Sequence, residues 1–165
     1  PENLGTSNAN GIEINGKFDG IKKIVITSDF NLNRFNRRGI WGTQNFNFNG
    51  TRWSSELRSK IKFPKDLDVE ATLNYLSGYS TVDGERGPSR NINFGVRKKI
   101  ADGRGVINLM VRDIFGTRVS ESRAIRSNFI VNNWATSGTF FSLGFSYGFG
   151  KGEAMEYQSK GGRRR

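Results

Sequence analysis

Phe141-Ser142-Leu143-Gly144-Phe145-Ser146-Tyr147-Gly148-Phe149 places a large apolar or aromatic residue at every odd position and Ser or Gly at every even one. Successive side chains of an extended chain point to opposite faces. A strict period of two therefore marks a β-strand with one greasy face and one small, polar face.

The same rule reads outward from this stretch. Ile107, Leu109 and Val111 alternate with Asn108, Met110 and Arg112, and Ile92, Phe94 and Val96 with Asn93, Gly95 and Arg97. Leu67, Val69, Ala71, Leu73 and Tyr75 oppose Asp68, Glu70, Thr72 and Asn74. Trp53, Leu57, Ile61 and Phe63 oppose Ser54, Glu56, Arg58, Lys60 and Lys62. Nearer the start, Ile24, Ile26, Phe30 and Leu32 face away from Thr27, Asp29, Asn31 and Asn33, and Ile12, Ile14 and Phe18 from Glu13, Lys17 and Asp19. The pattern predicts an all-β chain of seven two-faced strands, at about 11–18, 23–35, 51–63, 67–79, 91–100, 105–118 and 136–149, with no helix between them. Extended, strand-compatible residues at Asn45–Asn49, Thr117–Ala124 and Asn128–Asn133 allow several to run further. Phe46 and Phe48 carry the opposite parity to Trp53, which predicts a bulge near Gly50.

Composition removes whole classes of chemistry. With no cysteine and no histidine among 165 residues, there is no disulfide, thiolate nucleophile, Ser-His-Asp triad or usual zinc site. An enzyme is disfavoured and no cofactor or metal is expected. The net charge of +11 invites a soluble, basic nucleic-acid-binding β domain. Lys and Arg are instead dispersed along alternating positions, so nucleic acid is not the expected partner.

The remaining choice lies between a soluble sandwich and a transmembrane barrel. Several ribbons keep their pattern for the roughly 9–11 residues that a tilted strand needs to cross a bilayer. Aromatic residues sit near ribbon ends (Trp53 and Phe63, Tyr75 and Tyr79, Phe141 and Phe149), as interfacial girdles do. Short connections (Asp19–Lys22, Pro64–Asp66, Ala101–Arg104) alternate with long ones (Asn36–Gly50, Ser80–Arg90 and roughly 119–135). That is the asymmetry of periplasmic turns and extracellular loops. The expected fold is an antiparallel β-barrel in the bacterial outer membrane. Leu57, Ile61, Leu73, Phe94, Val96, Leu109, Val111 and Leu143 would then face lipid. Lys98 shares their parity but lies near the turn at Ala101, within snorkelling reach of water.

Seven crossings place the first and last strands in the same direction, which no bacterial single-chain barrel of even strand number can accommodate. Residues 1–149 are therefore expected to be the C-terminal strands of a larger barrel, with Pro1–Asn10 an incoming loop and 150–165 a basic periplasmic tail. A complete eight-stranded barrel is the competing reading, and it needs a strand within 1–10 or a hairpin within 117–135.

Three stretches carry a family resemblance: FNFNGTRWSSELRSKIKFPKDLDVEATLNYLSGYS, GVRKKIADGRGVINLMVRDIFGTR and FFSLGFSYGFGK. Spanning Asn45 to Phe149 and beyond by a residue or two, they resemble the C-terminal barrel of TonB-dependent receptors, especially the Bacteroidetes outer-membrane β-barrel group. The most specific residues are Gly95, Arg97 and Lys98 on one strand and Asp113 and Phe115 after the next. The resemblance implies a plugged barrel of about 22 strands that imports iron chelates, glycans or peptides under TonB. It also implies a final strand, here Phe145, Tyr147 and Phe149, read as an assembly signal by the barrel-insertion machinery. Some members of such a group instead scaffold secretion or surface-lipoprotein complexes. The partners implied are lipid, the remaining strands and plug of the barrel, the insertion machinery, and TonB or a surface lipoprotein. Asp113 reads as a packing feature more readily than as a ligand contact at the rim, and Asp83–Gly87 as a solvated loop tip.

Overall fold

A computed structural model describes residues 5–41, 44–45, 47–81, 84–125 and 128–149. They form twelve β-strands and no helix. In chain order these are β1 (Gly5–Ile21), β2 (Ile24–Trp41), β3 (Gln44–Asn45), β4 (Phe48–Phe63), β5 (Leu67–Leu76) and β6 (Tyr79–Thr81). Then follow β7 (Gly84–Arg86), β8 (Ser89–Ile100), β9 (Gly105–Arg112), β10 (Val119–Ile125), β11 (Ile130–Thr136) and β12 (Phe140–Tyr147).

The seven ribbons expected from the sequence become the seven long strands of one antiparallel sheet, in the order β1-β2-β4-β5-β8-β9-β12, with the short β3 beside β2. Every neighbour is the next long strand in sequence, so the sheet is a meander. Strands β1 and β12 are its two ends and do not pair with each other. Three tight turns lie at one end of the sheet. Lys23, Lys65, Asp66, Ala101 and Asp102 adopt positive φ there, a conformation that costs a non-glycine residue about 1–2 kcal/mol and is confined to tight reversals. The long connections all lie at the opposite end. Gly148, just after β12, donates its N–H to the carbonyl of Arg104 in the β8–β9 turn. The chain therefore reaches Phe149 at the short-turn end, as the strand count requires.

The loops are where the expectations need correcting. Gly5–Asn10 is not a loop but the start of β1, paired with Arg34–Gly39. The first turn lies at Lys22–Lys23 rather than at Asp19–Lys22, and a register shift between Phe18 and Ile21 absorbs the difference. No bulge occurs near Gly50. The β2–β4 register runs unbroken from Ile24↔Ile61 to Arg37↔Phe48, so Phe48 lies on the face opposite Trp53. There it packs edge-on against Phe35 at 5.7 Å. The Phe35 ring lies directly over Gly50, where any Cβ would come within 2.3 Å of it.

The long connections are largely strand. Near residues 77–78, 87–88, 113–118 and 137–139 the strands break, and beyond the breaks β6, β7, β10 and β11 pair into a second sheet in the order β11-β10-β7-β6. This order repeats that of β12, β9, β8 and β5, so the small sheet prolongs half of the wall past its long-loop edge. The expected strands 67–79, 105–118 and 136–149 are shortened accordingly, and Gly84–Arg86 is strand β7 rather than a loop tip. The hairpin that a complete eight-stranded barrel would require does exist as β10–β11. It pairs with β7 in the small sheet, however, and contributes no strand to the main one.

Candidate functional site

Register assigns each side chain to a face without ambiguity. One row across the sheet is Leu143, Leu109, Val96, Val69, Ile61 and Ile24; another joins Phe141, Val111, Phe94 and Ala71. Leu57 pairs with Leu73, and Ile12 with Leu32 and Trp53. All the apolar residues singled out by parity thus share one surface. Among the described residues no second sheet covers it. Leu143 is 74% exposed and Leu109 42%, and among the described residues Val106 and Val111 are the only buried apolar side chains. Val111 is 7% exposed, shielded on its own face by Phe94 and Phe141 on either side of it in the row. A soluble sandwich would bury this surface as its core, and here it is bare.

The length of the apolar band suits a membrane crossing at the tilt usual for outer-membrane barrels. From Trp53 to Phe63 the chain advances about 33 Å at roughly 3.3 Å per residue, and a tilt of about 40° projects this to about 25 Å, the lipid-facing height of outer-membrane barrels. Aromatic rings mark its long-loop edge, where Trp53 stacks on Tyr75 at 4.6 Å and meets Phe30 at 5.9 Å. At the other edge Tyr147 lies 6.5 Å from Phe145 and 5.1 Å from Phe149. Tyr79 leaves the expected girdle. It stands past the strand break, with the Arg52 guanidinium 5.1 Å from its ring, and Arg52 belongs to the polar face. Lys98 on the apolar face turns its Nζ to the carbonyl of Lys65 in the adjacent short turn. It thereby carries its charge out of the band.

The polar face is laced with ion pairs. Arg58 reaches Glu56 at 2.9 Å and Glu70 at 3.6 Å, and Lys60 reaches Asp68 at 3.5 Å. A cavity of about 590 Å³ opens on this face, lined by Asp29, Asn31, Arg52, Ser54, Glu56, Asn74, Asn91, Asn93 and Arg118 among others. The concavity lies on the wet side. Gly95 and Arg97 also face this way, whereas Lys98 belongs to the opposite face.

Asp113 closes β9. It adopts φ 52° and is only 3% exposed. Its carboxylate accepts from the Thr117 N–H (2.9 Å), the Thr117 hydroxyl (3.3 Å) and the Arg118 N–H (2.8 Å). Its own N–H donates to Asn93 Oδ1, which also accepts from Asn91, and its carbonyl accepts from the Thr139 hydroxyl. One side chain and its backbone thus tie together the ends of β8, β9 and β12 where the wall breaks. Ser77 does similar work on β4 and β5, accepting the Trp53 N–H on its hydroxyl while donating its own N–H to the Trp53 carbonyl. Phe115, beside this knot, is 70% exposed. Alternation named Asn93 only as a polar-face residue and did not single out Ser77. The basic tail from 150 lies outside the described residues.

Residues 1–147 match the model of the outer membrane protein beta-barrel family. The chain belongs to that family. It is an outer-membrane β-barrel protein, and the bare apolar face has the explanation that a soluble fold could not supply. Neither the curated proteins nor the solved structures contain a match to it.

Proposed function

We propose that this chain forms part of the wall and outer extension of a large importer barrel of the TonB-dependent type, with its apolar face against lipid and its polar face lining the transport path. The observation that carries this reading is the cavity on the polar face, bordered by amides, guanidiniums and carboxylates in hydrogen-bonding array. A wall that only anchored other proteins would have no need of a hydrophilic concavity at that level. Edge chemistry supports the larger barrel. Strands β1 and β12 each present a row of unpaired backbone groups, and each such group costs several kcal/mol in hydrocarbon. Further strands must pair with both edges, and with the seven long strands here they make up an even-numbered ring. Phe145, Tyr147 and Phe149, on the edge strand β12 and the residues after it, are proposed as the segment read by the insertion machinery. The role is not catalytic.

Energised uptake tests the proposal. In cells expressing the intact protein, import of its ligand (screened among iron chelates, oligosaccharides and peptides) is expected to stop when the proton-motive force is collapsed. A barrel that scaffolds surface or secretion partners would show no such uptake, and would instead lose a co-purifying outer-membrane protein when the β10–β11 hairpin is deleted.

A further inference from the structure

Above the apolar band, the lipid-side face of β1, β2 and β4 changes character abruptly. The row Ile12, Leu32, Trp53 is followed by Asn10, Arg34, Thr51 and then by Asn8, Asn36, Asn49. Arg38 follows on the same face, opposite Thr6. Asn8, Asn10, Arg34, Asn36 and Asn49, with Phe35 from the strand between them, line a cavity of about 330 Å³ in which Arg34 lies among the four asparagine residues. Its first polar row lies about 7 Å along the strands from the aromatic edge, at two residues of roughly 3.4 Å each.

We propose that this pocket binds a phosphate-bearing lipid headgroup of the outer leaflet. Four observations converge. The pocket faces away from the polar lumen side, so an imported ligand has no reason to meet it, whereas a lipid whose chains lie on Ile12, Leu32 and Trp53 brings its headgroup to this height. Its chemistry suits a tetrahedral oxyanion, with a guanidinium fork able to engage two oxygens at once and amide N–H groups for the others. No carboxylate lines this pocket, and among the described residues no acidic group pairs with Arg34 or Arg38. Arg34 also borders the adjoining larger cavity, where Glu85 and Glu121 are accompanied by Arg86 and Arg123. Asparagine is moreover disfavoured in strands, so four of them in two adjacent rows just above the apolar band contradict local propensity, as residues placed for binding do.

Native mass spectrometry of the intact protein in mild detergent tests the assignment, with a diphosphorylated outer-leaflet glycolipid, its dephosphorylated form and inorganic phosphate as probes. Retention of the phosphorylated lipid is expected to fall about tenfold in Arg34→Gln, to fall less in Arg34→Lys, and to persist in Lys22→Gln, which removes a charge at the other end of the wall. Heat-modifiable migration checks that each variant is folded. Should Arg34→Gln fail to fold, the comparison between the two lipids on the unaltered protein still decides. Equal retention of the dephosphorylated lipid, undiminished retention in a folded Arg34→Gln, or complete displacement by millimolar inorganic phosphate would each overturn the proposal, the last by revealing a site for soluble anions.

Discussion

Adjacent residues on β9 offer a direct comparison of the two faces. Leu109 stands in the middle of the outward row of its strand, between Val96 and Leu143, while Met110 lies on the opposite face between Gly95 and Ser142. Both side chains are 42% exposed, so accessibility alone predicts the same penalty for an arginine at either. Membrane placement predicts otherwise. An arginine at the middle of the lipid face costs about 2–4 kcal/mol, whereas on the lumen side it meets water. Met110→Arg has no cation directly across from it, with Arg97 diagonal to it and Arg112 two residues along the same face, so its cost should stay within about 1 kcal/mol. The expected gap of at least about 1–2 kcal/mol corresponds to roughly a 5- to 30-fold difference in the folding equilibrium constant. Guanidinium unfolding of the intact protein from phospholipid vesicles, followed by tryptophan fluorescence, measures it. Equal losses for the two variants, or a larger loss for Met110→Arg, would refute the assignment of faces.

Asp113→Ala removes the acceptor of the part-buried N–H groups of Thr117 and Arg118 and should destabilise the wall by about 1–3 kcal/mol. Hydrogen exchange should show the loss concentrated at residues 113–118 and 137–139. Alanine at Tyr147 and at Phe149, which is 91% exposed, should lower the assembled fraction in the outer membrane severalfold. Little change is expected in the denaturant midpoint of the molecules that do assemble, and heat-modifiable electrophoresis reads the fraction. Gly50→Ala drives a methyl group into the Phe35 ring and should cost about 1–3 kcal/mol. Gly50→Ala combined with Phe35→Ala should recover part of that loss. In intact cells, a membrane-impermeant maleimide should label Asn132→Cys in β11 and spare Asp102→Cys in the β8–β9 turn, with no native cysteine to confuse the reading.

The long strands were legible because a membrane wall obeys one simple rule. Burial in hydrocarbon on one side imposes strict alternation, and Phe141–Phe149 or Leu67–Tyr75 follow it without exception. Long connections obey no such rule. Beyond the lipid both faces of β10 and β11 meet water, so Val119–Ile125 and Ile130–Thr136 lost the periodicity that betrays a strand. The start of β1 was hidden for the same reason, since Gly5–Asn10 carries polar residues on both faces. The pocket around Arg34 could have been found by continuing the parity count past Leu32, because Arg34, Asn36 and Arg38 keep the outward phase after the apolar residues stop. Phe46 and Phe48 suggested a slipped register; Phe46 lies outside the described residues, and Phe48 packs on the wet face against Phe35, whose ring lies over Gly50. The role of Asp113 depends on partners from three strands, and no linear pattern encodes such a meeting.

A nitroxide scan of residues 105–112 in the intact protein in bilayers asks most directly whether hydrocarbon covers the apolar face. Collision with oxygen should peak at Ile107 and Leu109 and dip at Val106, Asn108 and Met110, giving a period of two in phase with the outward row. A scan without alternation, or one in which Ile107 and Leu109 are shielded from oxygen as in a packed protein core, would contradict a lipid-facing wall.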